Sequence, residues 1–458
     1  MLRRTFRPRH TAPRTRGRDI EVPTEALEGR TLLAVAPVTA DVNWGTFASM
    51  PRDVVGVGGT AYFVASTASG NGLWKSDGTG AGTTLVRDFG AGPGDAPQGL
   101  TAAGGLLYFT APDGARGVEL WKSDGTAAGT VVVKDINPTG PSNPQNLTDF
   151  NGALLFTAND GASGAEIWRS DGTESGTVRL ADLNPGPGSS ATASDDFTPA
   201  GGTLYFRAWT PPSGYAVYRS DGTAAGTTRV SAFAPTPQAE LTAVGTTLFF
   251  TSGSGAQLWK SDGTQAGTVR VRQGFGGSGL TAAGGGAPYL LLSAGDTAGG
   301  VELWRTDGTD PGTKRVKDIR PGSDSSSPFG IIAAAGGAFF SADDGTGRAA
   351  WYTDGTEAGT VKLPVTSTAG GVAAGGRLFF AYESPDSGQE LWSSDGTPAG
   401  TRRVADIDPG PGGSSPQYLS AVGGALFFSA DDGFHGRELH RSDGTAAGTV
   451  LVKDLHTQ

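Results

Sequence analysis

Short apolar runs separated by glycine- and aspartate-rich breaks recur along the chain at intervals of about 46 residues, a period that marks a stacked repeat or a propeller. One period shows the pattern. Gly99-Leu100-Thr101-Ala102-Ala103 is a run of small residues ended by Gly104-Gly105. Leu106-Leu107-Tyr108-Phe109-Thr110-Ala111 follows, then a polar break at Asp113-Gly114. Val118-Glu119-Leu120-Trp121-Lys122-Ser123 leads into Asp124-Gly125-Thr126, and Thr130-Val131-Val132-Val133-Lys134-Asp135-Ile136 closes the unit. Apolar runs this short, bounded by turn residues, read as strands. Four antiparallel strands per period, here A to D, make the blade of a β-propeller.

The runs also predict where each strand sits. Strand A is the smallest, as in Ala333-Ala334-Ala335 and Val372-Ala373-Ala374, which suits the crowded axis. Strand B is a consecutive apolar run (Leu378-Phe379-Phe380, Leu426-Phe427-Phe428), as expected of strands buried on both faces between neighbouring sheets. Strand D alternates and carries Lys134, Arg179 or Lys453, which predicts a solvated outer edge that resists pairing with another chain. The Gly-Gly pairs at 58–59, 104–105, 201–202, 336–337, 375–376 and 423–424 predict tight A–B hairpins with positive φ.

The break after strand C is D-G-T-x-x-G-T, and it occurs nine times. Its aspartates are Asp77, Asp124, Asp171, Asp221, Asp262, Asp307, Asp354, Asp395 and Asp443, spaced by 41 to 50 residues. Each aspartate is expected to accept backbone N–H bonds in an Asx-type turn, so these residues read as structural. Three residues before each stands an aromatic ring: Trp74, Trp121, Trp168, Tyr218, Trp259, Trp304, Trp351 and Trp392, with His440 in the ninth unit. One large ring per blade at a fixed depth is what packing between blades requires. Solenoid and β-helix repeats are shorter than this period.

The reading is therefore all-β: a propeller of four-stranded antiparallel blades, nine repeats in one ring. The blades fall at about 52–89, 98–136, 145–183, 195–232, 239–273, 278–319, 329–364, 370–407 and 417–455, within a domain spanning 35–458. Val38-Thr39-Ala40-Asp41-Val42-Asn43 aligns with Val133-Lys134-Asp135-Ile136-Asn137, and Pro51 follows near the place Pro144 occupies. Residues 35–43 are thus expected to form an extra outer strand beside the ninth blade.

Composition narrows the chemistry. Glycine (75) and proline (28) exceed a fifth of the 458 residues, but the glycines recur in register with apolar runs, unlike those of a disordered segment. With no cysteine, disulfides, thiolate metal sites and cysteine nucleophiles are excluded. No apolar stretch is long enough to predict a transmembrane helix. Residues 1–34 carry eight arginines against Asp19, Glu21, Glu25 and Glu28, a charge of +4 that leaves −14 on residues 35–458. An acidic body argues against a nucleic-acid partner. The basic first 34 residues fit no repeat and read as a disordered, targeting-like segment.

Propeller topology puts the B–C and D–A loops on one face and the A–B and C–D turns on the other. The first face gathers Asp113, Asp160, Asp343, Asp344, Asp431 and Asp432, the candidate binding residues. Calcium is the cation such loops could take, but it wants several carboxylates together, and the D-G-T turn offers only one. No catalytic residue is predicted: the four histidines lack metal-ligand spacing, and no phosphate loop or nucleophile elbow occurs.

Two resemblances add to this. The repeated Glu-Leu-Trp-x-x-Asp-Gly-Thr (at Glu119, Glu166, Glu302, Glu390 and Glu438, with Ile for Leu at 167 and His for Trp at 440) resembles the ELWxxDGT repeat of large secreted proteins from myxobacteria and planctomycetes. The resemblance covers residues 52–455; Gly72-Leu73, Ala216-Val217, Gln257-Leu258 and Ala349-Ala350 depart from it. Leu27-Glu28-Gly29-Arg30-Thr31-Leu32-Leu33 resembles the LEPR-x-LL segment of exported planctomycete proteins, with Gly29 where that segment has proline. Both imply export to the cell surface or beyond, and neither implies an activity or cofactor. The expectation is a non-catalytic binding or adhesion platform for a glycan or protein ligand; a propeller hydrolase or lyase acting on polysaccharide and a calcium-stabilised surface protein are the alternatives.

Overall fold

The computed structural model describes residues 48–455 except 68–69, 93, 192–196, 232–239, 253–256, 285–287 and 296–298. Residues 1–34 and the expected strand at 35–43 lie outside the described residues.

Nine four-stranded antiparallel sheets follow one another, each in the order A-B-C-D. They cover 52–88, 98–134, 145–181, 198–229, 241–273, 276–317, 329–362, 372–403 and 417–453, and are numbered here as blades 1 to 9. In blade 2 the strands are Gln98–Ala103, Leu106–Pro112, Val118–Ser123 and Val131–Lys134. The chain is a nine-bladed β-propeller.

Alternation along strand B explains why its apolar run is unbroken. Leu107, Phe109 and Ala111 pack with Tyr62, Val64 and Leu73 of blade 1, while Tyr108 between them packs with Leu154 and Phe156 of blade 3. Both faces of each sheet are thus buried. Among the described residues the buried apolar side chains form nine clusters, one at each blade junction. The ring closes by the same means: Phe63 and Trp74 of blade 1 share a cluster with Phe427 and Leu439 of blade 9.

Seven of the A–B hairpins are two-residue turns with both φ positive, as at Gly58 (+56°) and Gly59 (+84°) between paired Val57 and Thr60. In blade 5 only Gly245 of the turn has positive φ, and in blade 6 the turn is longer, with Ala283 paired to Tyr289. In blade 7 the turn lies one residue earlier than the glycine pair suggests. Ala334 pairs with Gly337, so Ala335 (φ +54°) and Gly336 (φ +78°) make the turn. The second glycine instead opens strand B, where the Thr353 carbonyl lies 2.0 Å from where a Cβ would sit.

Candidate functional site

On the A–B/C–D face, the D-G-T-x-x-G-T loop is built the same way in all nine blades. The aspartate carboxylate accepts from the backbone N–H of the following threonine at 2.8–3.0 Å and from its hydroxyl at 2.7–2.8 Å. Those bonds hold the nine carboxyls below the ordinary aspartate range. The same hydroxyl accepts from the N–H of the second glycine at 2.9–3.0 Å. The first glycine has φ of 86–92°, which a side chain rarely adopts. A Cβ on the second would lie 2.0–2.1 Å from the aspartate carboxylate group.

These loops also join blades. Lys75 donates to the Gly125 carbonyl at 2.8 Å, Lys122 to Gly172 at 2.7 Å and Arg305 to Gly355 at 3.0 Å, each reaching from strand C into the next blade's turn. From strand D, Arg87, Lys134, Arg272, Lys317 and Lys453 donate to the carbonyls of Thr130, Thr177, Thr313, Thr360 and Thr83 at 2.8–2.9 Å. Strand D is the half-exposed edge of its sheet, as expected, and Lys134 and Lys453 on it also reach across a junction. Arg87 and Arg272 also lie over the Trp121 and Trp304 rings of the following blade, at 4.6 and 5.1 Å. Trp74, Trp121, Trp168, Trp304 and Trp351 are buried, Tyr218 likewise, while Trp259 and Trp392 are half-buried. His440 takes the same place, stacked on Phe428 with centroids 5.7 Å apart, and burial pushes its pKa down.

The glutamate of Glu-Leu-Trp builds the opposite face. Glu119, Glu166, Glu302, Glu390 and Glu438 are fully buried. Each accepts from the N–H (3.0 Å) and hydroxyl (2.5–2.6 Å) of a serine in the D–A linker: Ser142, Ser190, Ser326, Ser414 and Ser49 respectively. The serine's carbonyl then receives an N–H from the end of strand B in the next blade, from Asn159, Trp209, Asp343, Asp431 and Ser66, at 2.6–2.9 Å. Glutamate, serine and strand end form a staple across each of these junctions. The glutamate's signal is legible in its repetition; its serine partner, 23 or 24 residues on in four blades and 389 residues before Glu438 in the ninth, carries no local signal. Burial raises the carboxyls of Glu119 and Glu166, and pushes Glu438 up to about 7.

The six loop-face aspartates each organise their own loop. Asp113 pairs with Arg116 at 3.2 Å. Asp160 accepts from Ala162 and Ser163 and pairs with Arg179; burial opposes these bonds, but its carboxyl is still lowered. Asp343 accepts from Gly345 and Gly347, and Asp344 pairs with Lys362 at 2.8 Å, which holds it far below the usual range. Asp431 accepts from Gly433, and Asp432 from Phe434, His435 and the His435 ring at 2.7 Å. The six are not brought into one site. Among the described residues, no group of three His, Asp or Glu side chains is placed to hold a metal ion.

Cavities open on both faces among the described residues. One, of about 480 Å³, lies on the turn face between blades 5 and 6, against Phe249, Lys260, Asp262, Val269 and Asp307. Both of its aspartates are committed to their turns. The other, of about 550 Å³, lies on the loop face between blades 7 and 8, against Thr366, Ala369, Tyr382, Glu383 and Gln389.

No family model and no curated protein matches the chain. Solved structures that resemble it include prolyl oligopeptidase B from Galerina marginata (TM-score 0.42, 11% identity, 78% of this chain and 50% of that one). Puromycin hydrolase matches with a TM-score of 0.37 and 16% identity over 84% of this chain and 59% of its own, so the chain spans under two thirds of it. Virginiamycin B lyase from Staphylococcus aureus matches with a TM-score of 0.33 and 18% identity, over 64% of this chain and 92% of that one. Likenesses of this degree carry no activity across to this chain.

Proposed function

We propose that this protein is a non-catalytic, exported or cell-surface binding platform, whose glycan or protein ligand docks on the face made by the B–C and D–A loops. The contrast between the two rims carries this reading. The turn face repeats one hydrogen-bonded loop nine times, with its polar groups engaged within the loop or by the neighbouring blade. The loop face differs from blade to blade, and the six candidate aspartates are each engaged in their own loop. Beside Asp431 and Asp432 lies Asp408, whose carboxyl is raised by burial and by their charge. The resemblance of the N-terminal segment to exported proteins supports the location.

A glycan and protein-ligand array, probed with the full chain with and without EDTA, tests this. Binding that survives EDTA, with the bound ligand recovered intact, is the expected result. Turnover of a bound polysaccharide would replace the platform with an enzyme. Binding or folding lost on chelation would shift the reading to a calcium-dependent surface protein.

A further inference from the structure

The staple that closes junctions on the loop face has no counterpart between blades 7 and 8. Ala349 stands where glutamate stands in blades 2, 3, 6, 8 and 9, and the linker after Leu363 supplies no serine to a buried carboxylate. Glu383 lies three residues after Phe380, as Asp343 does after Phe340, yet among the described residues no linker carbonyl receives its N–H as Ser326 receives that of Asp343. The staple is likewise missing after blades 1, 4 and 5, where Gly72, Ala216 and Gln257 replace the glutamate. At the 7–8 junction its absence coincides with the 550 Å³ cavity, a size within the roughly 300–1,000 Å³ of ordinary ligand sites.

Its lining differs chemically from the rest of the face. The Tyr382 hydroxyl, the Gln389 amide, the Glu383 carboxylate and the Thr366 hydroxyl make no hydrogen bond to described residues, whereas the aspartates of neighbouring loops are occupied. The Tyr382 ring is half-buried, positioned edge-on by Trp392 with centroids 5.0 Å apart. Among the described residues, no lysine, arginine or histidine lines the cavity.

Building on the loop-face reading, we propose that this cavity binds a short segment of neutral oligosaccharide. The Tyr382 ring offers an apolar surface to the C–H face of a pyranose. The amide and hydroxyl both donate and accept, and the carboxylate accepts from two sugar hydroxyls. With one acid and no cation, the site repels uronates and sulfated sugars.

The test uses the full-length protein against neutral, uronate-containing and sulfated oligosaccharides by calorimetry. Neutral ligands are expected to bind. Tyr382→Ala is expected to weaken them about tenfold or more, as loss of a central aromatic contact does, and Tyr382→Phe to retain most of the affinity. Ala369→Trp fills the cavity from an exposed linker position and should abolish binding with an unchanged melting temperature, so it decides the matter if Tyr382→Ala unfolds. Glu357→Ala, exposed on the opposite face, should bind as the unaltered protein does. Neutral binding unaffected by Ala369→Trp and Tyr382→Ala overturns this site but leaves the platform standing. Preference for anionic sugars overturns the ligand class. Binding of no oligosaccharide, with a protein ligand captured on the same face, overturns the inference and retains the platform.

Discussion

At the scale of single residues, the nine turns show why glycine stands at two places for two reasons. The first needs positive φ; the second needs the absence of a Cβ because the aspartate carboxylate occupies that space. Gly129→Ala should therefore destabilise by about 1–3 kcal/mol, the range for an overpacked site, by driving Asp124 out of its turn. Asp124→Ala should destabilise more mildly, through its two lost bonds to Thr126 at an exposed site. The double variant should lie well short of their sum, because removing the carboxylate removes the clash. Urea denaturation of the three variants measures this; simple additivity would refute it. The Asx turn was legible because the motif is local. The buried glutamates were not, because a repeated Glu beside Trp looks like a surface acid until its distant serine is in view.

Those glutamates also set a pH dependence. Glu438 has its folded-state pKa raised to about 7 by burial, against three bonds from Ser49 and Leu455, with Asp454 adding to the rise. A raised pKa means the native state holds a proton that the unfolded chain releases nearer 4.5. Its contribution is therefore full below about 4.5 and lost as pH rises to about 7, on the order of 3 kcal/mol. Glu119 and Glu166 act in the same direction. Glu438→Gln should flatten stability measured from pH 4.5 to 8; an unchanged slope would place the titration elsewhere.

At the scale of the element, each blade was readable from its own residues: four apolar runs, a glycine hairpin and an Asp turn. What joins blades was less so, because those contacts link residues about 40–50 apart, as Lys134 links to Thr177. Alternation in strand D reads equally well as a solvated edge, and only the neighbouring carbonyl shows that the lysine reaches inward. Lys134→Met keeps the stem and removes the donor. It should cost about 1–2 kcal/mol, since the buried Thr177 loses a charged partner at its carbonyl. Lys134→Arg should recover most of that, as arginine serves at the equivalent Arg87 and Arg272. A Met variant as stable as the parent would return strand D to the role its sequence suggested.

At the scale of the molecule, nine blades must meet end to end, and no strand is exchanged among the described residues to lock the seam: blade 9 supplies all four of its own strands. The seam instead repeats ordinary junction contacts with residues from the two ends of the described chain. Lys453 donates to Thr83, Phe427 packs with Phe63 and Trp74, and Ser49 reaches back to Glu438 while its carbonyl takes the Ser66 N–H. Ser49-Met50-Pro51 thereby does for blade 9 what Ser142-Asn143-Pro144 does for blade 2, down to the positive φ of the central residue, +51° and +45°. The alignment of Pro51 with Pro144 holds that information, beside the outer strand expected at 35–43. Truncation separates the two. A chain starting at Thr46 keeps the staple, and one starting at Arg52 leaves Glu438 buried without Ser49. The second should melt several degrees lower and lose about 2–3 kcal/mol, the cost of orphaning a buried polar group. Removing residues 1–34 and then 35–45 in separate steps reads the contribution of the 35–43 segment alone. If the chains starting at Thr46 and Arg52 melt together, the ring closes on its apolar cluster and Lys453, and the Ser49 staple is dispensable.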